Sequence, residues 1–324
     1  MKALGLCSGG LDSILSALVL RDQGIEVEWV SFETPFFSAD KARQAAEAHG
    51  IPLQVRNITP IYMELMKAPP AGFGKNMNPC MDCHSLMFRL AGEMMEKMGY
   101  DFLFSGEVAG QRPMSQNRQS LRYVEKHSRY DGCILRPLSA RCLPPTAMEE
   151  KGLVDRERLL DISGRSRKRQ MALAEAYGVK NYPAPAGGCL LTDRGYSQRL
   201  RDLFDHQGSC TENELHLLKH GRHMRLTPQV KIAVGRVQAD NTALAKLVNE
   251  RTDLVLKVKD APGPTVVIPH GGDDAAVLLA AAICAGYSKA PNDVPAQVQV
   301  IAGEERRLVT VLPLPSAQAK RYLI

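Results

Sequence analysis

No apolar run in this sequence approaches the roughly 20 residues that cross a bilayer; the longest candidate, 275–286, is short and interrupted. The opening MKALGLCSGG reads as a strand that breaks into glycine, so it lacks the apolar core of a signal peptide. Cysteine is too sparse for a disulfide scaffold, at eight in 324 residues. Aromatic residues make up only 6%, while 44% hydrophobic and 23% charged residues exclude a disordered or collagen-like chain. A large excess of one charge is lacking too: 41 Lys+Arg against 35 Asp+Glu give +6. That bias permits a polyanionic partner without requiring one. Together these absences imply a cytoplasmic protein with no membrane association, whose reduced thiols are free to be nucleophiles, metal ligands or core residues.

The length exceeds the usual single-domain range and predicts two domains, divided as 1–223 and 224–324. In the first, strands at 3–6, 27–32, 53–57 and 102–105 alternate with helices at 12–23, 38–49 (opened by a Ser38 cap) and 86–98. Strands separated by helices predict an α/β fold, a doubly wound parallel sheet covered on both faces. Long connections at 69–79 and 106–119 are of the length that carries function. A further helix is expected at 171–177, and a helical region runs to near His223. The second, smaller domain alternates strands (230–237, 254–258, 265–268, 296–301, 307–312) with helices (241–249, 274–287), an α+β pattern.

The sharpest local signal is Ser8-Gly9-Gly10-Leu11-Asp12-Ser13, between a strand and a helix. Two glycines let backbone approach an anion, Ser8, Ser13 and the helix N-terminal amides donate to it, and the helix dipole adds about half a positive charge. The loop lacks the Lys-Ser/Thr ending of a Walker A motif, which disfavours phosphoryl transfer of that style. The string resembles the pyrophosphate loop of the PP-loop ATP pyrophosphatases, the adenine nucleotide α-hydrolase-like enzymes. The resemblance implies a HUP-like sheet that binds ATP, attack of a substrate oxygen on the α-phosphate, and release of pyrophosphate. By it, Ser8, Gly9, Gly10, Asp12 and Ser13 cradle the phosphates, with Asp12 holding Mg²⁺ or orienting the loop. Phe32 and Thr34, at the end of the second strand, would flank the adenine, and Ser105 and Gly106 would lie close to the nucleotide.

Asn78-Pro79-Cys80-Met81-Asp82-Cys83-His84 precedes a helix, and Gly187-Gly188-Cys189 lies more than a hundred residues later. A CxxC turn presents two sulfurs to one metal and a third cysteine can complete a sulfur face; two of the three can equally form a transient disulfide. NPCMDCHSLMF resembles the NPCxxCN…KF segment of tRNA-specific 2-thiouridylases, and the Gly-Gly-Cys189 turn resembles their second catalytic cysteine. The basic run Gly164–Gln170, GRSRKRQ, and Leu135-Arg136-Pro137-Leu138-Ser139 resemble a 4-thiouridine-synthase-like group of the same superfamily. The resemblance implies that Cys80, Cys83 and Cys189 ligate a [4Fe-4S] cluster or, without one, carry sulfur. Zinc or no metal are the alternatives. Cys7, Cys133, Cys142, Cys210 and Cys284 are expected to pack, and His84 to cap a helix or face solvent.

GRSRKRQ is read equally as a solvated helix start or as a contact to RNA phosphates. The second domain resembles the NFACT-type RNA-binding domain through Gly235-Arg236, Asp240-Asn241, Leu244, Asp253-Leu254, Lys257-Val258, Asp260, Pro262-Gly263 and Val266-Val267. Lys257 stands where that family has His. The expected protein is therefore an ATP-dependent, AMP- and pyrophosphate-forming tRNA-uridine sulfurtransferase. Its partners would be tRNA and a sulfide or persulfide donor, and a homodimer is allowed. It is expected to lack the N-terminal RNA-binding extension, rhodanese-like domain and β-barrel tail of its relatives. The alternatives are an amidating or nitrile-forming enzyme of the superfamily with structural zinc, or a non-catalytic, nucleotide-regulated RNA-binding protein.

Overall fold

Residues 1–183 and 189–324 are described by a computed structural model; residues 184–188, which include the expected Gly187-Gly188 turn, lie outside the described residues. The chain divides into two compact units, Met1–Thr192 and Asp193–Ile324.

The first unit runs β1 (Lys2–Leu6), α1 (Leu11–Arg21), β2 (Glu26–Glu33), α2 (Asp40–His49), β3 (Leu53–Asn57), α3 (Thr59–Lys67), α4 (Cys80–Met98), β4 (Phe102–Ser105), α5 (Arg118–Ser128), β5 (Ile134–Leu135), α6 (Ala147–Glu150) and α7 (Lys168–Ala176). Its sheet is parallel throughout, in the order β3-β2-β1-β4-β5. The strand order reverses at β1, which pairs β2 on one side and β4 on the other. A crevice therefore opens beyond the carboxyl ends of β1 and β4, where doubly wound sheets bind ligands. The apolar strand centres and the inward face of α1 (Leu11, Ile14, Leu15) close the core around Trp29, Phe102 and Phe104. Gly5 is needed in β1 because a Cβ there would lie 2.3 Å from the Phe104 ring.

Local expectations hold best where periodicity is strong. The expected helix at 86–98 begins at Cys80, which moves the CxxC sequence from a preceding loop into the first turn of α4. The Ser38 cap is not formed: α2 starts at Asp40 after Ala39, with no side-chain cap. α3 and α5 escape the sequence reading. α5 is mostly polar, buries few apolar side chains, among them Leu121 and Val124, and is capped by Asn117 accepting from the Ser120 amide.

The second unit runs α8 (Arg194–His206), α9 (Glu212–Leu217), β6 (Arg222–Arg225), β7 (Lys231–Val234), α10 (Gln238–Leu247), β8 (Leu254–Val258), β9 (Val266–Ile268), α11 (Asp274–Gly286), β10 (Ala296–Ala302), β11 (Glu305–Val311) and α12 (Ser316–Ala319). Its sheet is antiparallel, in the order β11-β10-β8-β9-β7-β6, and packs against the apolar side of α11. His223 lies in β6 rather than at the end of a helical region. The unit begins before the expected 223/224 division because α8 is bound into it. Asp202 of α8 pairs with Arg225 at 2.7 Å and Lys231 at 3.3 Å, and the Tyr196 hydroxyl donates to the Leu215 carbonyl at 3.0 Å.

Candidate nucleotide and cysteine site

The loop after β1 is built for close approach of backbone. Gly9 has φ +71°, a left-handed conformation, and a Cβ on it would lie 2.2 Å from the carbonyl carbon of Lys41. Gly10 caps α1 with no side chain of its own, leaving the first helical amides open toward the crevice. The Ser8 and Ser13 hydroxyls meet at 3.1 Å and the Ser8 amide donates to Ser13 Oγ at 3.3 Å, which closes the loop on itself. Cys7 packs beneath as expected: its Sγ accepts from the Gly9 amide at 3.3 Å, and burial pushes its thiol up to about 12.

β4 ends against this loop. Ser105 is buried, and a Cβ on Gly106 would lie 2.5 Å from both the carbonyl carbon of Asp12 and the amide of Ser13. Glycine at 106 thus lets the end of β4 touch the start of α1. Phe32, at the carboxyl end of β2, is 5% exposed, and neighbouring Thr34 is also buried.

Asp12 does not face open solvent. Gln111 Nε2 donates to its Oδ2 at 2.8 Å, and Gln170 Nε2 donates in turn to Gln111 Oε1 at 3.0 Å. Burial raises the Asp12 carboxyl above its ordinary value, while Gln111, Arg167 and Arg112 oppose that rise. Asp12 Oδ1, Gln170 Oε1 and Arg167 Nε are buried with no hydrogen-bond partner.

On the other side of β4 stands a buried ion pair. Arg136 Nε donates to Glu107 Oε2 at 3.0 Å, His84 Nδ1 lies 2.8 Å from Glu107 Oε1, and Ser105 Oγ donates to Oε2 at 3.3 Å. Burial alone would raise the Glu107 carboxyl; Arg136 and then His84 more than reverse it, to about 2. His84 is thus tied to a buried carboxylate instead of serving as the expected cap or surface residue.

Cys80 and Cys83 occupy the first turn of α4, and all eight cysteines are free thiols. Asn78 Nδ2 donates to Cys80 Sγ at 3.2 Å. Burial pushes the Cys83 thiol up to about 12 against a hydrogen bond from Tyr62, and Cys189 and Cys80 are near enough to add to the rise. Burial likewise raises Cys189, with Cys80 contributing. Cys80, Cys83 and Cys189 thus lie in one neighbourhood with Tyr62, a buried residue of α3 whose ring meets Phe36 at a tilt and Phe37 edge-on. Among the described residues no three His, Cys, Asp or Glu side chains stand close enough together to hold a metal ion.

Gln111, Gln170, Glu107, Arg136 and Tyr62 carry no individual role in the sequence reading, although Arg136 and Gln170 lie within motifs singled out above. Glu107 directly follows Ser105-Gly106 and was within reach of it. Gln170 gave no signal, being the last residue of a basic run yet fully buried. Of that run, Arg165, Lys168 and Arg169 are exposed, with Arg169 paired to Asp161. In the second unit, several motif residues are occupied with holding the fold. Asp240 accepts from the Arg236 amide and Nε, Asn241 Oδ1 accepts from the Thr265 amide at 2.9 Å, and a Cβ on Gly235 would lie 2.0 Å from that oxygen. Lys257 is exposed on β8. No helix among the described residues is long and apolar enough to cross a membrane.

Residues 1–141 match the family model described as Thiamine biosynthesis protein (ThiI), and residues 221–323 that described as NFACT protein RNA binding domain. A tRNA-specific 2-thiouridylase MnmA of Sulfurimonas denitrificans is 37% identical over 118 residues, which cover 32% of this chain and 34% of the relative. A probable tRNA sulfurtransferase of Caldanaerobacter subterraneus subsp. tengcongensis is 29% identical over 136 residues, covering 39% and 34%. A solved 4-thiouridine synthetase–RNA complex with bound ATP aligns over 55% of this chain and 51% of that chain, at a TM-score of 0.36 and 21% identity. The chain spans about a third of the length of the curated relatives it matches.

Proposed function

From a chain that joins a ThiI-type domain to an NFACT-type RNA-binding domain, we propose an ATP-dependent tRNA sulfurtransferase that replaces a uridine carbonyl oxygen with sulfur. The observation that carries it is the close approach of the phosphate-cradling loop to the end of β4: Gly106 lies against Asp12 and Ser13, and the next residue, Glu107, is bound by His84, the neighbour in sequence of Cys83. This supports a reading in which activation and sulfur delivery take place in one unit.

In the first step the open amides of α1 and the Gly9-Gly10 backbone hold the ATP polyphosphate. The uridine oxygen attacks the α-phosphorus, the bond to the bridging oxygen breaks, and pyrophosphate leaves. In the second step a sulfur nucleophile adds at the same carbon, the C–O bond breaks, and AMP departs with the oxygen. Hydrosulfide loses its proton in this step and no electrons are exchanged. With a persulfide donor, one cysteine takes its outer sulfur and the donor leaves as a thiol; that sulfur adds at the carbon, a second cysteine frees it by closing a disulfide, and an external dithiol reduces the disulfide. Phe32 and Thr34 flank the adenine, and Ser105 and Gly106 back the nucleotide. The second unit holds the tRNA.

The donor sets suit the implied metals. The buried, unpartnered Asp12 Oδ1 suits Mg²⁺, which would neutralise phosphate charge. Three soft thiols at Cys80, Cys83 and Cys189 suit a [4Fe-4S] cluster, which would offer an open iron to hydrosulfide.

The test uses the full chain, purified without oxygen, with ATP, Mg²⁺, sulfide and unmodified tRNA. Wild type should release pyrophosphate and yield thiolated uridine by mass spectrometry. Asp12→Asn should abolish pyrophosphate release with tRNA affinity retained, whereas Cys189→Ala should release pyrophosphate yet thiolate nothing. Full thiolation by Cys189→Ala would sink the sulfur assignment. Iron and sulfide in the purified protein support the cluster, and stoichiometric zinc in a colourless protein supports the structural-zinc alternative.

A further inference from the structure

The basic run 164–170 is divided by the fold into two faces. Arg165, Lys168 and Arg169 are exposed, whereas Gln170 is fully buried and Arg167 is half-buried and turned toward Asp12. The inward turn has a structural cause. The Gly164 amide donates to the Ala109 carbonyl at 2.8 Å, Ala109 bridges Ser163, and Gly164 itself takes φ +83°. These contacts pin the start of α7 to the segment that follows β4, which also carries Gln111. Gln170 then holds Gln111 at 3.0 Å, and Gln111 holds Asp12 at 2.8 Å.

One donor in this network has nothing to donate to: Arg167 Nε is buried and unpartnered. A buried N–H left so is costly unless a ligand or a water completes it. It lies near Asp12 in the first turn of α1, on the same loop whose amides are open to an anion. The loop carries no lysine of its own, from Ser8 to Ser13, to balance a polyphosphate.

We propose that Arg167 binds the pyrophosphate portion of ATP and steadies it as it leaves, with Gln170 and Gln111 positioning Asp12 beside it. Arg167 is thereby set apart from its exposed neighbours Arg165, Lys168 and Arg169 and assigned to the nucleotide. This inference rests on the ATP-dependent reading above and adds a residue to it. Arginine suits the task because its planar fork binds phosphate oxygens in pairs and stays charged at every working pH.

Calorimetric titration of the full chain with Mg-ATP, inorganic pyrophosphate and AMP tests it, with tRNA affinity measured alongside. Arg167→Gln should weaken Mg-ATP and pyrophosphate by about 10- to 100-fold, the loss of a charge-assisted contact, while AMP and tRNA change less than about threefold. Arg167→Lys should recover part of the loss, and coinciding thermal melts establish that both variants fold. The double variant Arg165→Gln/Lys168→Gln should leave Mg-ATP binding unchanged. Wild-type affinity for Mg-ATP in Arg167→Gln, or a loss confined to tRNA, overturns the assignment while leaving the ATP-dependent reading standing. A wild-type chain that binds neither Mg-ATP nor pyrophosphate overturns both.

Discussion

Replacing Glu107 by glutamine removes one charge from a pair lying almost wholly out of water, since Glu107 is 7% and Arg136 3% exposed. Burial opposes the ionised carboxyl, yet Arg136 and His84 carry its pKa from 4.5 to about 2. That difference, at about 1.4 kcal/mol per pH unit, corresponds to ~3 kcal/mol of stability. Removing one partner of a buried pair costs about 3–5 kcal/mol because the other charge is stranded. Arg136 retains Glu125, which accepts from it at 2.6 Å, so the lower end applies here. The unit carries its own reporter: the chain has a single tryptophan, Trp29, fully buried in β2. Urea unfolding at neutral pH, followed by Trp29 fluorescence, should show the Glu107→Gln midpoint lowered by about 1–2 M, for a slope of about 2 kcal/mol per molar. The sign with pH follows from the depressed carboxyl. Its contribution is present above the unfolded value of 4.5 and is lost as pH falls toward about 2. Wild type and variant should therefore converge across that window. Equal midpoints at neutral pH, or a gap as wide at about pH 2.5 as at neutrality, would refute the reasoning.

Gly106→Ala should cost the site its nucleotide with little change elsewhere. The added Cβ meets backbone of Asp12 and Ser13 at 2.5 Å, which cannot yield without moving the loop. ATP affinity should fall about tenfold or more; calorimetry showing no loss would mean that the loop and β4 do not share a ligand. In the second unit, Asp202→Ala strands Arg225 and the deeply buried Lys231, whose pKa burial already lowers to about 8. The folded unit pays to keep Lys231 charged below about pH 8, so removing its carboxylate should cost about 3 kcal/mol at neutral pH and less as pH rises beyond 8. Scanning calorimetry should register a melting temperature lower by about 10 °C, and an unmoved transition would show the cluster to be energetically idle.

How much of this was legible follows from the range of each interaction. The β1–loop–α1 unit was legible because its signal is contiguous: an apolar run, two glycines, an acidic residue in the first turn. The CxxC pair was visible for the same reason, though its start within α4 was not, because Pro79 precedes it and a single Cys-Met-Asp-Cys turn is too short to show helical periodicity. Cys189 carried only a turn motif; that it approaches Cys80 and Cys83 depends on chain that returns after more than a hundred residues. The Ser38 cap failed because α2 starts later, at Asp40.

By itself the sequence determined the alternating strands and helices of the first unit, its parallel sheet, the phosphate-cradling loop and the presence of three candidate sulfur residues. These rest on periodicity, turn chemistry and spacing, which neighbouring residues impose on one another. The tertiary structure alone decided which distant groups meet. Gln111 reaches Asp12 across 99 positions and Gln170 reaches Gln111 across 59, and Glu107 finds Arg136 across 29. It also decided that one arginine of a basic run turns inward while its neighbours stay in water. Burial and pairing are set where strands from separate parts of the chain end side by side, and no local pattern encodes that.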